Sequence, residues 1–289
     1  MAVHKRSYRA YIGPVTPQRT RWWVITRYSL AGAFSSRVSV VLFVICLVPS
    51  LLAAVTIYVA NSETARTLLE LRNANNILAI DNRFFLRLMA VQGWLALFLT
   101  AWVGPLMVSP DLTNNALPLF LSRPISRAEY VAAKIAVLSI ILSSVTWVPL
   151  LLLFLIQAQL SITPWLGPNL FIAGAVIVGS FLWIALLSLV ALAISAYVRW
   201  RIVATGLMVA VIFIPAGFGA VVNAVLRTKW GMLLNVPYTL SLIWADLFRY
   251  PLPFQMVPVS AAWFSLLAVA AISLILLHKQ VQARQVVRG

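Results

Sequence analysis

The sequence predicts an all-α polytopic membrane protein. It has six transmembrane helices, an N-terminal interfacial helix, and a short helix on the cytoplasmic face between spans two and three. Three observations carry that prediction. Hydrophobic residues make up 62% of the 289-residue chain and charged residues 10%, with a mean hydropathy of +0.96, whereas a soluble domain is about a quarter charged and about 45–50% apolar. Six runs long enough for roughly 30 Å of hydrocarbon contain no Asp, Glu, Lys or Arg. The basic residues between those runs are divided unequally from one connection to the next. This composition excludes a soluble enzyme, a secreted disulfide scaffold and a disordered chain. The lack of period-two alternation excludes an outer-membrane barrel. Cys46, the single cysteine, lies inside an apolar run, so neither a disulfide framework nor a cysteine metal site is expected.

In chain order, residues 1–37 are a basic leader. Residues 1–16 read as disordered. Over residues 18–32, Arg19, Arg21 and Arg27 interleave with Trp22, Trp23, Ile25 and Leu30. That pattern suits a helix lying in the headgroup region, with rings at the interface and guanidinium groups toward anionic lipid. The alternative is a disordered basic leader that only enforces topology. No cleaved signal peptide is legible, because the first apolar run starts near Val38 and is too long for a signal h-region.

Residues 38–278 hold the six spans, approximately Val38–Ala60, Leu88–Val108, Ile135–Gln157, Leu170–Ala196, Ile202–Ala224 and Val259–Leu277. Pro215 interrupts the fifth run, and Pro251, Pro253 and Pro258 crowd the start of the sixth. Residues 279–289 form a basic tail. An even number of spans puts both termini on one side, and the positive-inside rule says which. Cytoplasmic termini place 15 basic and 2 acidic residues inside, against 7 basic (Arg66, Arg72, Arg83, Arg87, Arg227, Lys229 and Arg249) and 4 acidic residues outside. Both ends are therefore expected to face the cytoplasm. The same distribution turns the formal charge of +16 into a statement about topology rather than about nucleic acid.

None of the spans contains an ionisable residue, the usual relay or coordination site of an ion-coupled transporter. Their polar residues include Gln92, Thr100, Ser143, Ser144, Thr146, Ser180, Ser188, Ser195, Thr205 and Asn223. Such groups are expected to bond to their own helix or a neighbour. Proton-driven transport is disfavoured, while sodium sites built from carbonyls and hydroxyls remain open. His4 and His278 are the only histidines, so no serine at membrane depth has a base beside it. No pair of intramembrane aspartates and no phosphate-binding loop occurs. The chain is expected to be no enzyme and to need no cofactor or metal. Small residues recur at four-residue spacing in span four, Ala175 with Gly179 and Ala191 with Ser195, as helices that approach closely require.

The most specific stretch is the link from Ser109 to Tyr130. Ser109, Pro110 and Asp111 make a helix start, with a side-chain cap, a proline in the first turn and an early acid. Pro118 ends or kinks that helix after about two turns. Pro124 sets a second break, and Ser126 with Glu129 forms a capping box for the helix that runs through Lys134 into span three. A short apolar strip (Leu117, Leu119, Phe120 and Leu121) thus lies beside Arg123 and Arg127. It suits a docking element, or equally a turn seated in the headgroups.

From Gly104-Pro105 through Asn115-Ala-Leu-Pro-Leu119 and Leu121-Ser-Arg-Pro-Ile-Ser-Arg127 to Tyr130 and Lys134, the chain resembles membrane permease subunits of bacterial ABC type 2 exporters. The arginine- and aromatic-rich N-terminal helix and the basic ending Gln282–Arg288 agree with that layout, and the specific match is confined to residues 104–134. Family members often carry glycine before the lysine, and here it is Ala133. The resemblance implies a permease in the bacterial plasma (inner) membrane that pairs with a second permease subunit, identical or a close paralogue. It also implies two separately encoded ATP-binding subunits, with membrane lipid around the assembly and no nucleic acid. The link between spans two and three would be the coupling helix resting on the ATPase, with Asp111, Leu117, Arg123, Pro124, Arg127 and Lys134 in the coupling region. The route would run between the permease halves, lined largely by spans two and five. Pro215-Ala-Gly217-Phe-Gly219 would give span five a soft joint on its outer side, either a structural kink or part of a gate.

The apolar external stretch from Val225 to Pro258 is expected to hold partly re-entrant or interfacial helices, and Asn61–Arg87 an ordinary helix and loop. An ion-coupled secondary transporter and a non-transporting membrane scaffold or assembly subunit are the other classes that suit this composition. Lipids, drugs, peptides or a metal-handling partner fit an apolar route with scattered hydroxyls alike.

Overall fold

The computed structural model describes residues 20–68, 79–105, 107, 127–161, 164–198, 200–252 and 255–283. The described residues form helices α1 (Arg21–Ala33), α2 (Arg37–Asn61), α3 (Glu63–Leu68), α4 (Asn82–Val103), α5 (Arg127–Val145), α6 (Trp147–Leu160), α7 (Leu166–Tyr197), α8 (Arg201–Leu226), α9 (Val236–Leu247) and α10 (Val259–Ala283), with a 3-10 turn at Trp230–Leu234. No strand occurs among them. Six segments are long and apolar enough to cross a membrane: α2, α4, α5 with α6, α7, α8 and α10. The chain is an all-α, multi-pass membrane protein.

The spans alternate in direction, as their end contacts show. At one end of the bundle, Thr26 of α1 bonds the Ala133 carbonyl of α5, Ser195 of α7 bonds the Gly104 carbonyl just past α4, and Gln280 of α10 bonds the Ala196 carbonyl. We call this the α1 face. At the far face, Asn61 Nδ2 at the end of α2 donates to Gln157 Oε1 of α6 at 2.8 Å, and Asn82 at the start of α4 donates to the Phe248 carbonyl after α9 at 2.9 Å. Phe85, Phe154 and Trp165 close that end with ring centroids 5.2–6.2 Å apart.

α7 is the central pillar, packed against α4, α5, α6, α8, α9 and α10. Its small residues do what their spacing suggests. A Cβ on Gly104 would lie 2.8 Å from that of Ala191, and Ser195 Oγ donates to the Gly104 carbonyl at 3.0 Å. Gln92 of α4 donates to the Ser50 hydroxyl of α2, while Thr100 and Thr146 bond carbonyls of their own helices. Ser180 and Ser188 depart from that pattern. Their hydroxyls are buried with no partner among the described residues, and nothing in the structure explains them.

Three elements differ from the runs read in the sequence. Span two begins at Asn82 and takes in Arg83 and Arg87, because Asp81 accepts from the Phe84 amide at 2.9 Å and caps the helix six residues before Leu88. Span three is broken between α5 and α6 at Thr146. Pro149 explains the break: it cannot donate to the Val145 carbonyl, and its ring crowds that same group. Pro215, by contrast, does not interrupt span five, since α8 is helical on both sides of it.

The stretch after α8 enters the bundle. Asn235 Oδ1 accepts from the Tyr238 amide at 3.0 Å to start α9, and Pro237 sits in the first turn. Val236, Thr239, Leu240, Leu242, Ile243, Trp244 and Ala245 of α9 are buried. The Trp244 indole reaches the carbonyl of Gly179, thirteen residues along α7 and so roughly 20 Å from its far-face end. Of the two alternatives for this stretch, α9 takes the re-entrant one.

Candidate functional site

At the α1 face, α1 lies across the start of α5. Ile25 and Thr26 turn inward while Trp22, Trp23 and Tyr28 stay exposed. Thr26 Oγ1 reaches the Ala133 carbonyl at 3.3 Å, so Ala133 is the point at which α1 crosses α5. Trp22 and Trp23 meet edge to face at 5.8 Å. The helix expected over residues 18–32 is present at Arg21–Ala33, and residues 1–19 lie outside the described residues.

Lys134 is 5% exposed beneath α1. Its Nζ donates to Ser29 Oγ at 3.1 Å and stands 5.4 Å from the centroid of the buried Tyr130 ring. Ser29 lies toward the C-terminal end of α1, where a cation complements the helix dipole. Its contacts make this lysine a clamp between α1 and α5, facing into the protein.

Of the other residues expected in the coupling region, Asp111, Leu117, Arg123 and Pro124 lie outside the described residues, and Arg127 is described only as the first residue of α5. Ser126 is also outside, although α5 begins where the Ser126–Glu129 pattern puts its start. What is described are the two ends of that link, and both are held at the α1 face. The entry is held by Gly104 against α7, with Met107 buried and its amide bonded to the Gly104 carbonyl at 2.9 Å. The exit is held by Lys134 and Ala133 under α1. Beside them the Arg201 guanidinium stacks over Trp102 at 4.3 Å, a cation–π contact joining the start of α8 to the end of α4.

The three candidate gate residues of span five separate. Pro215 lines an apolar crevice between α7, α8 and α10. A Cβ on Gly217 would meet nothing within 4 Å, so this glycine makes no close contact. Gly219 touches the backbone of Gly231 in the 3-10 turn so closely that neither has room for a side chain, and Asn223 Oδ1 accepts from the Gly231 amide at 2.8 Å. Gly219 is thus the seat of the re-entrant segment on α8.

No family model matches the chain, and no curated protein matches it either.

Sequence reading overlooked the residues that hold the re-entrant helix. Trp244 Nε1 donates to the Gly179 carbonyl at 3.1 Å and Trp183 Nε1 to the Gly93 carbonyl at 3.0 Å. The two indoles meet edge to face at 6.4 Å. A Cβ on Gly93 would come within 2.5 Å of Trp244 Cη2, and one on Gly179 within 2.9 Å of Trp244 Nε1. The available signal was two glycines and two tryptophans in apolar segments. A buried indole N–H gains by donating to a carbonyl, and glycine lets the ring come close to one, although Trp102 and Trp147 bury theirs with no partner among the described residues.

Proposed function

We propose that this chain is the membrane-spanning permease subunit of an ATP-driven ABC type 2 exporter. Two permease subunits, identical or paralogous, form the route and couple to two separate ATP-binding subunits. The reading rests on one observation: the run Asn115-Ala-Leu-Pro-Leu119 and Leu121-Ser-Arg-Pro-Ile-Ser-Arg127 in the link between spans two and three. Its support is that both ends of this link are fastened at the face where α1 lies. On this reading that face is cytoplasmic, the membrane is the bacterial plasma membrane, and the link docks the ATPase. ATP is then hydrolysed on the partner chain, since no phosphate-binding loop is present in this one.

Charge reversal tests the docking. Exposed ion pairs are individually worth only about 0.2–1 kcal/mol, so alanine substitutions are weak probes. Like charges facing each other across an interface cost several kcal/mol. R123E/R127E is expected to insert normally, because 13 of the 15 basic residues on that side remain, and to lose co-purification with the ATP-binding subunit. Wild-type recovery of the subunit by this variant would remove the two arginines from the interface.

A further inference from the structure

The crevice lined by Pro215 is about 710 Å³ in volume. α7 is its back wall, through Trp183, Leu187, Val190 and Ala193, and α8 and α10 are its sides. α8 and α10 both lean on α7 but hardly touch each other, so the gap between them opens sideways, toward the surface where lipid lies. Both ends are shut. At the far face, Leu233, Leu234 and Val236 of the re-entrant segment form a roof, pinned by Ser265 Oγ donating to the Leu233 carbonyl at 2.6 Å. At the α1 face, Tyr197 donates its hydroxyl to the Leu276 carbonyl at 3.1 Å, with Gln280 bonded to the Ala196 carbonyl one turn beyond.

Away from the Tyr197 hydroxyl at its α1-face end, the wall offers a ligand almost nothing polar to bind. The Ser273 hydroxyl is used on the Val269 carbonyl at 2.8 Å, Ser265 on the roof, and the Trp183 N–H on Gly93. Water has no partners there, and a charged or hydrogen-bonding solute would leave its own groups unsatisfied. The occupant such a wall suits is an apolar chain, which the surrounding membrane supplies through the gap between α8 and α10. From Ser265 to Leu276 the crevice follows α10 for roughly 16 Å, about half of the ~30 Å hydrocarbon thickness. That is about the length of one acyl chain laid along the helix, over the middle of the span Val259–Gln280.

We propose that this crevice is a binding site for an acyl chain of a bilayer phospholipid, entered laterally between α8 and α10 with the headgroup left outside the mouth. The site belongs to one chain and involves no partner subunit. It therefore stands or falls separately from the exporter reading.

A phospholipid with a diazirine in mid-acyl chain, added in trace amount to the purified full-length chain in detergent micelles, tests it. After photolysis, adducts should concentrate on Val190, Ala193 and Ile272 relative to Val44 and Leu51, which face outward from α2. Ala193→Phe fills the crevice from its back wall and Ala268→Phe from its exposed rim. Either substitution should lower crevice labelling to the level of α2, with α2 labelling unchanged. Ala268→Phe does not disturb the core, so it remains informative if Ala193→Phe misfolds. Equal labelling of crevice and α2 in the wild type, or crevice labelling that Ala268→Phe leaves intact, overturns the proposal.

Discussion

Trp244 in the re-entrant helix α9 gives its indole proton to the carbonyl of Gly179, 3.1 Å away in the body of α7. The bond satisfies a buried donor, and the missing side chain at Gly179 is what lets the ring lie against the helix backbone. Trp183 repeats the arrangement on Gly93 of α4. The first pair fastens α9 to span four and the second fastens span four to span two, while Gly219 with Gly231 fastens the preceding turn to span five.

Glycine-to-alanine substitutions should therefore change sign with position. At Gly174 a Cβ meets nothing within 4 Å, so Gly174→Ala should stabilise by about 0.5–1 kcal/mol through helix propensity. At Gly93 and Gly179 the Cβ collides with an indole held by its own hydrogen bond, and overpacking should cost about 1–3 kcal/mol. Thermal unfolding in detergent measures the difference. Equal midpoints for Gly174→Ala and Gly179→Ala would remove the tryptophan–glycine contact from the account.

Lys134 should matter by holding α1. Lys134→Met loses the charge-assisted bond to Ser29, worth about 1.5 kcal/mol or more, and local opening of α1 should become at least about tenfold more frequent. Limited trypsin digestion reads this at the exposed Arg27 in α1, where cleavage should accelerate by that factor while cleavage elsewhere stays constant. An unchanged rate at Arg27 would show that other contacts carry α1.

Reporter fusions address the topology. Fusions after Gly289 and within Arg123–Arg127 should report cytoplasm, and fusions near Asn73 and Pro164 the opposite side, following the division of basic residues. A cytoplasmic signal at Asn73 contradicts the six-span arrangement.

The spans were legible because a membrane imposes one requirement on every residue of a run, and uncharged apolar length is counted directly from sequence. The interfacial-type helix α1 was legible for a similar reason, since its arginine and tryptophan pattern is local. Pairings were not. Trp244 and Gly179 are 65 residues apart, and in an all-apolar environment no periodicity marks which face of a helix meets a partner. Gly217 and Gly219 are alike in sequence, and only the approach of Gly231 separates an open position from a close contact. The break at Thr146 had a local signal in Pro149, but a proline in a long apolar run gives two outcomes. α8 passes through Pro215 as one helix, whereas α5 and α6 divide. Of the residues expected in the coupling region, Lys134 bonds Ser29 of α1, while Asp111, Leu117, Arg123 and Pro124 lie outside the described residues.

The exporter reading is tested most directly by the mass of the complex this chain forms. Tagged chain extracted from its own membrane in mild detergent should give a native mass equal to two permease subunits plus two copies of an ATP-binding subunit with a phosphate-binding loop, and that preparation should hydrolyse ATP. A mass accounted for by this chain alone, in one copy or several, with no ATP hydrolysis in the preparation, would contradict the account.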